Sequence, residues 1–201
     1  MKNVTSNSMY KPAILIISIL MVCGCTAVKD DRPDSGAIQY LQGPKNAEDF
    51  LPLGDTQWLV TSGLNGEASN MDHNGHIYLV NRKEKTFDEL FPGATPQFEH
   101  DKEMFNACPG PLNPDDFSAH GLDLQQQSSG LYRLYVINHG EREAIEIFTI
   151  DAKGTKPAIR WVGCVLLPDV VMANSVAILP GGGFLTTNYF DPTKPNSIGE
   201  L

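Results

Sequence analysis

His120-Gly121-Leu122-Asp123-Leu124, then the polar stretch Gln125–Gly130, then Arg133-Leu134-Tyr135-Val136-Ile137-Asn138 is the run that decides the fold. A short apolar run, a polar turn and a second run rich in β-branched and aromatic residues is the pattern of two paired strands. The unit recurs on either side. Upstream, Glu48-Asp49-Phe50-Leu51-Pro52-Leu53 passes through Gly54-Asp55 into Trp58-Leu59-Val60-Thr61-Ser62. Downstream, Asn174-Ser175-Val176-Ala177-Ile178-Leu179 passes through Pro180-Gly181-Gly182-Gly183 into Phe184-Leu185-Thr186-Thr187-Asn188. Each copy is a polar start, a strand, a turn and a second strand. Their offsets, roughly 75 and 50 residues, suit a β-propeller with loop insertions, in which a blade takes about 40–50 residues.

Further β-rich runs fill the intervals: Gln57–Ser62, His76–Asn81 after Asn74-Gly75, Leu131–Asn138, Ala144–Asp151, Arg160–Leu166, Asn174–Leu179 and Gly183–Tyr189. After residue 25 no stretch sustains an apolar period of 3.6 for three turns, and Glu84–Phe91 reads as one or two helical turns at most. The expectation is an all-β chain, a β-propeller of four-stranded blades. With 18 Gly and 14 Pro in 201 residues the chain is turn-rich, yet too poor in both for a low-complexity sequence.

The net charge is −9, from 15 Lys and Arg against 24 Asp and Glu, and no basic run could neutralise a phosphate backbone. Nucleic acid is excluded as a partner. Lys2 and Lys11 precede Ala13–Val22, an apolar stretch of ten residues interrupted only by Ser18. It is too short to span a bilayer and suits the core of an export signal. Val22-Cys23-Gly24-Cys25 resembles a bacterial lipoprotein cleavage box, which implies lipidation at Cys25, a signal peptide over residues 1–24 and a protein anchored to a membrane facing the periplasm or cell surface. Removing residues 1–24 leaves 13 basic and 24 acidic side chains, a net −11. Residues 25–43, broken by Pro33 and Gly36, read as a flexible tether, and residues 44–201 as the propeller domain. Cys108 and Cys164 are left for the folded part; an exporting compartment permits a disulfide between them, and their spacing leaves a structural thiol open.

Inner strands of propeller blades run the same way along the central channel, so polar residues at their starts gather at one mouth. Glu48, Asp49, His120 and Asn174 occupy those starts. Clustered carboxylate and amide oxygens suit a hard cation such as Ca²⁺, which takes six to eight oxygen ligands. Other motifs carry less. Ser62-Gly63 and Ser128-Ser129-Gly130 lack the Gly-x-Ser-x-Gly elbow of an α/β-hydrolase, and Asp72-His73-Asn74-Gly75-His76 reads as a hairpin turn rather than a metal loop. Gly181-Gly182-Gly183 reads as a strand connector, and Trp58 and Trp161 as core.

Taken together, Glu48-Asp49 ahead of Trp58–Leu64, Ser118-Ala119-His120-Gly121-Leu122, Val136-Ile137-Asn138-His139 and Asn174-Ser175-Val176 resemble the paraoxonase/arylesterase group of six-bladed calcium propellers. The wider gluconolactonase and regucalcin-like superfamily shares that architecture. The resemblance covers about Asn46 to Phe190. It implies that Glu48 and Asn174 bind a catalytic calcium, that Asp49 and the backbone carbonyl of Leu122 hold a structural one, and that His120 and His139 form a proton-shuttling dyad. Ser175 stands where the family carries an Asp at the structural calcium.

The implied activity is calcium-dependent hydrolysis of a small-molecule lactone or aryl ester, with a metal-polarised carbonyl and a His-assisted water. The 177 residues after the signal supply about three to four of six blades, which reads as a fragment or truncated product whose open strand edges invite self-association. The alternatives are a non-catalytic propeller lipoprotein acting as a binding module, and an inactive fragment.

Overall fold

The computed structural model describes residues 40–64, 66–67, 70–71, 75–191 and 193–194. The export signal, Cys25, most of the tether and Asp72-His73-Asn74 lie outside the described residues. The described chain is all-β, and its only helical element is a 3-10 turn at Pro114–Asp116.

Two antiparallel four-stranded sheets and a two-stranded ribbon follow one another in sequence. The first sheet contains β1 (Ala47–Pro52), β2 (Trp58–Gly63), β5 (His76–Asn81) and β6 (Thr86–Phe91), hydrogen-bonded in that order. A small ribbon, β3 (Gly66–Glu67) with β4 (Asn70–Met71), lies in the β2–β5 connection. The second sheet is a meander of β7 (Ala119–Ser128), β8 (Leu131–Asn138), β9 (Ala144–Asp151) and β10 (Ala158–Leu166). The ribbon is β11 (Met172–Ile178) with β12 (Phe184–Phe190). The three sequence copies are therefore the first two strands of each sheet and the ribbon itself.

Two local expectations are corrected. Glu84–Phe91 is not helical; its second part is β6. Asn81 at the end of β5 turns the chain, its Oδ1 accepting from the N–H groups of Lys83 (3.1 Å) and Glu84 (3.0 Å), and Lys85 takes φ 57°. That side-chain-built turn returns the chain beside β5, and pairing with β5 overrides the helix-compatible composition. Gln125–Gly130 is not one turn either. β7 continues to Ser128 because Gln125 and Gln126 pair with Arg133 and Tyr132, leaving Ser129-Gly130 as the reversal.

The middle strands are nearly continuous apolar runs because both their faces are covered. Leu134, Val136 and Ile137 of β8 and Ile145, Ile147 and Phe148 of β9 are fully buried, as are Ile77 and Leu79 of β5. Phe91 at the end of β6 joins the two sheets. Its ring meets Phe117 at 5.2 Å and Phe148 at 4.8 Å in edge-on geometry, the arrangement ring quadrupoles favour.

The long connection between the sheets is laid along the outer edge of β10. Trp161 N–H donates to the Gln97 carbonyl (3.0 Å), Glu99 N–H to the Trp161 carbonyl (2.9 Å) and Asp101 N–H to the Val162 carbonyl (2.8 Å). This parallel pairing covers an edge that would otherwise offer free backbone groups. The connection is then fastened by a disulfide between Cys108 and Cys164, whose Cα atoms are 5.2 Å apart.

Candidate functional site

The site begins with a backbone irregularity that repeats three times. In the β1–β2 pair, Ala47 faces Gly63 and Phe50 faces Thr61, so Glu48 and Asp49 together oppose one residue. In the β7–β8 pair, Ala119 faces Asn138 and Leu122 faces Val136, so His120 and Gly121 oppose one residue. In the β11–β12 pair, Ala173 faces Asn188 and Val176 faces Thr186, so Asn174 and Ser175 oppose one residue. The first strand of each copy thus carries a β-bulge at the same repeat position. A bulge bends its strand and re-aims the side chain it carries.

The three bulges meet. His120 Nε2 lies 2.8 Å from a carboxylate oxygen of Glu48. Asp49 accepts a hydrogen bond from the Leu122 N–H at 3.1 Å. Gly121 faces the third bulge so closely that a Cβ there would lie 2.3 Å from the Asn174 carbonyl oxygen and 2.8 Å from Ser175 Cα. Only glycine lets β7 and β11 approach in this way. Asp123 continues the link, accepting from the Ile178 N–H at 2.7 Å. Glu48, Asn174 and Ser175 are exposed, and Asp49 is half-buried. Ser175 N–H donates to Thr187 Oγ1 (3.0 Å) and its carbonyl accepts from Thr186 Oγ1 (2.9 Å).

Behind His120 the hydrogen bonding continues inward. His120 Nδ1 is 2.9 Å from His139 Nε2, and His139 Nδ1 is 2.8 and 3.0 Å from the two carboxylate oxygens of Glu143. The result is a chain of four groups, Glu48–His120–His139–Glu143, running from an exposed carboxylate through the buried His139 imidazole to the half-buried carboxylate of Glu143.

His139 is placed by Asn138, whose Oδ1 accepts from the Ser118 N–H (2.9 Å) and the Gly140 N–H (3.0 Å), while His139 N–H donates to the Ser118 carbonyl (3.1 Å). Gly140 fits only as glycine, since a Cβ would fall 1.5 Å from the Asp116 carbonyl oxygen. The following loop is held by a buried carboxylate. Glu146 accepts two hydrogen bonds from Arg142 (2.8 and 3.0 Å) and one from Trp161 Nε1 (2.7 Å), which satisfies a charge no water reaches.

Donor counting assigns the protons in this chain. Ionised carboxylates only accept, so the contacts with Glu48 and Glu143 take an N–H from His120 Nε2 and from His139 Nδ1. The contact between the rings then needs a third N–H, so all three contacts are hydrogen bonds at once only when the two rings share one added proton. The neutral pair has a different arrangement. His139 still donates to Glu143, so its Nε2 accepts from His120 Nδ1–H, and His120 Nε2 is left as a free lone pair at the exposed end. Glu143 thus sets which nitrogen of His120 is basic.

Among the described residues no group of three or more His, Cys, Asp or Glu side chains gathers in a geometry that would hold a metal ion. The oxygen donors at the bulges nevertheless fit a hard cation in kind: the Glu48 and Asp49 carboxylates, the Asn174 amide and the backbone that Gly121 admits at close range.

Glu143, Arg142 and Glu146 were invisible to motif reading, and Asn138 entered it only as part of Val136-Ile137-Asn138-His139, without its role in placing His139. The bulges leave one sequence trace, an Ala followed by two polar or small residues and an apolar one: Ala47-Glu48-Asp49-Phe50, Ala119-His120-Gly121-Leu122 and Ala173-Asn174-Ser175-Val176. No protein-family model matches this chain, nor does any characterised protein match it.

Proposed function

We propose that this chain is an exported hydrolase of lactones or aryl esters, built as part of a β-propeller and dependent on Ca²⁺ at the mouth where the inner strands begin. The observation that carries the reading is the hydrogen-bonded chain Glu48–His120–His139–Glu143, set at the meeting point of the bulges. Two four-stranded meanders and a third strand pair in succession support the propeller architecture. The signal over residues 1–24 and lipidation at Cys25 would place the enzyme at a bacterial membrane, outside the cytoplasm.

Glu48 and Asn174 would hold the catalytic ion, and Asp49 with the Leu122 carbonyl a structural one; Ser175 brings only a neutral hydroxyl. The bound ion would supply a Lewis acid for the carbonyl oxygen and for the negative charge that develops on it. Proton handling belongs to the histidines. In the neutral pair, His120 Nε2 takes a proton from water as the oxygen attacks the carbonyl carbon, and Glu48 releases that nitrogen for the purpose. The pair then bears one positive charge, shared through the His120–His139 bond and balanced by Glu143. His120 Nε2–H returns the proton to the departing alkoxide or phenoxide as the acyl C–O bond breaks.

The test is turnover of a panel of lactones and aryl esters by the full chain, with calcium titrated and then chelated. Saturable, calcium-dependent hydrolysis is expected, and Glu143→Ala should lower kcat about 10- to 100-fold, the usual loss when a carboxylate orienting a functional histidine is removed. A folded chain without turnover on any of the panel would refute the reading and favour a binding module.

A further inference from the structure

Away from the dyad, the second sheet carries a polar row on the face opposite its aromatic core. Arg133 of β8, Thr149 of β9 and Arg160 of β10 are register partners across three neighbouring strands, so they share one face. Their sequence neighbours Leu134, Phe148 and Trp161 take the other face and are fully buried.

The two guanidiniums are in different situations. Arg160 is ion-paired with Glu99. Arg133 forms no ion pair among the described residues. Its Nη1 donates to the thioether sulfur of Met104 at 3.1 Å, a weak acceptor, and its buried Nε has no hydrogen-bond partner. A guanidinium cannot escape such a position by losing its proton, and leaving a buried charged donor unmatched costs more than leaving a neutral one.

Arg133 is also the residue shared by two adjoining cavities. One, of about 310 Å³, is lined by Arg133, Arg160, Thr149, His100, Asp101 and Val162, with Glu99 at its side. The other, of about 460 Å³, includes Gln125 and Met104. The volume is that of a small-molecule site.

We propose that Arg133 anchors a small organic monocarboxylate in this cleft, with its fork on the carboxylate, Thr149 as a further donor, and Val162 and Met104 beside the apolar part. One unpaired cation calls for one negative charge, and the carboxylates of Glu99 and Asp101 lining the same cavity oppose a dianion. A net charge of −9 offers no diffuse attraction for anions, so binding here requires a built site. The proposal is independent of the hydrolase reading.

The experiment is calorimetric titration of the full chain with benzoate, then with inorganic phosphate. Benzoate should saturate one site. Arg133→Met should raise its Kd at least tenfold and Arg133→Lys, which keeps the charge and loses the fork, by less. Lys156→Met, the same charge change at an exposed residue, and His120→Gln, at the dyad, should leave Kd within twofold. Urea midpoints confirm that each variant is folded. The proposal is overturned if folded wild-type chain shows no saturable benzoate binding. It is equally overturned if Arg133→Met and Arg133→Lys both leave Kd unchanged, if His120→Gln abolishes binding, or if phosphate binds as tightly as benzoate.

Discussion

His120→Gln should lower kcat for ester or lactone hydrolysis about 10²- to 10⁴-fold, the span attributable to one general acid–base group, and leave calcium affinity within a few-fold. The glutamine amide can still donate to Glu48, so the bulges of β1 and β7 stay together. What it lacks is a nitrogen that alternates between lone pair and N–H. Steady-state kinetics on wild type and variant, with calcium binding followed in parallel, separate the two roles. A large fall in calcium affinity with turnover lost in proportion would make His120 a structural spacer for Glu48 and leave the dyad without its proposed chemistry.

Replacing both Cys108 and Cys164 by Ala should cost about 4 kcal/mol of stability, the loop-closure value for the sequence separation of 56 that the bridge spans. The loss should also reach the dyad. Beyond Cys108 the connection supplies the Gly110 carbonyl to Arg142 (3.1 Å), the Asn113 N–H to Glu141 (3.1 Å) and the Asp116 carbonyl to the Glu141 N–H (3.2 Å). These contacts brace the loop that carries Glu143. The double variant is thus expected to unfold at a lower urea concentration, and its turnover should fall before global unfolding. A urea midpoint equal to that of the oxidised wild type would show that the backbone pairing of Gln97–Asp101 with β10 holds the connection unaided.

What could be read from sequence follows from how local each feature is. The strand pairs were legible because alternating apolar runs and Gly- or Pro-bearing turns are short-range signals, as at Leu53-Gly54-Asp55 and Leu179-Pro180-Gly181. β6 was not, because Thr86–Phe91 is an acidic edge strand whose identity depends on the Asn81 turn and on pairing with β5. Of the site, Glu48, His120 and Asn174 stood out as polar residues at repeat positions. Their gathering at one mouth is an expectation of the propeller reading, but the bulges that aim them could not be read, since a bulge is a property of register between two strands, and only pairing reveals that each polar doublet opposes one residue. Glu143 escaped notice for a related reason. It lies four residues past His139, a spacing that suggests a helix, and it reaches the imidazole only because Gly140 folds the chain tightly against Asp116 and Arg142 is drawn in by Glu146.

Calcium binding by the oxygen donors at the three bulges, beside the dyad, is the proposed basis of turnover. Its most direct test is the unfolding midpoint of the full chain against free calcium, then with chelator, for wild type and Glu48→Gln. A ligand that binds only the native state adds RT ln(1 + [L]/Kd), about 2.7 kcal/mol at a hundredfold excess over Kd. The wild-type midpoint is expected to climb with the logarithm of calcium concentration, to reverse on chelation, and to respond at higher concentrations in Glu48→Gln. A cooperative transition whose midpoint ignores calcium and chelator alike would contradict it.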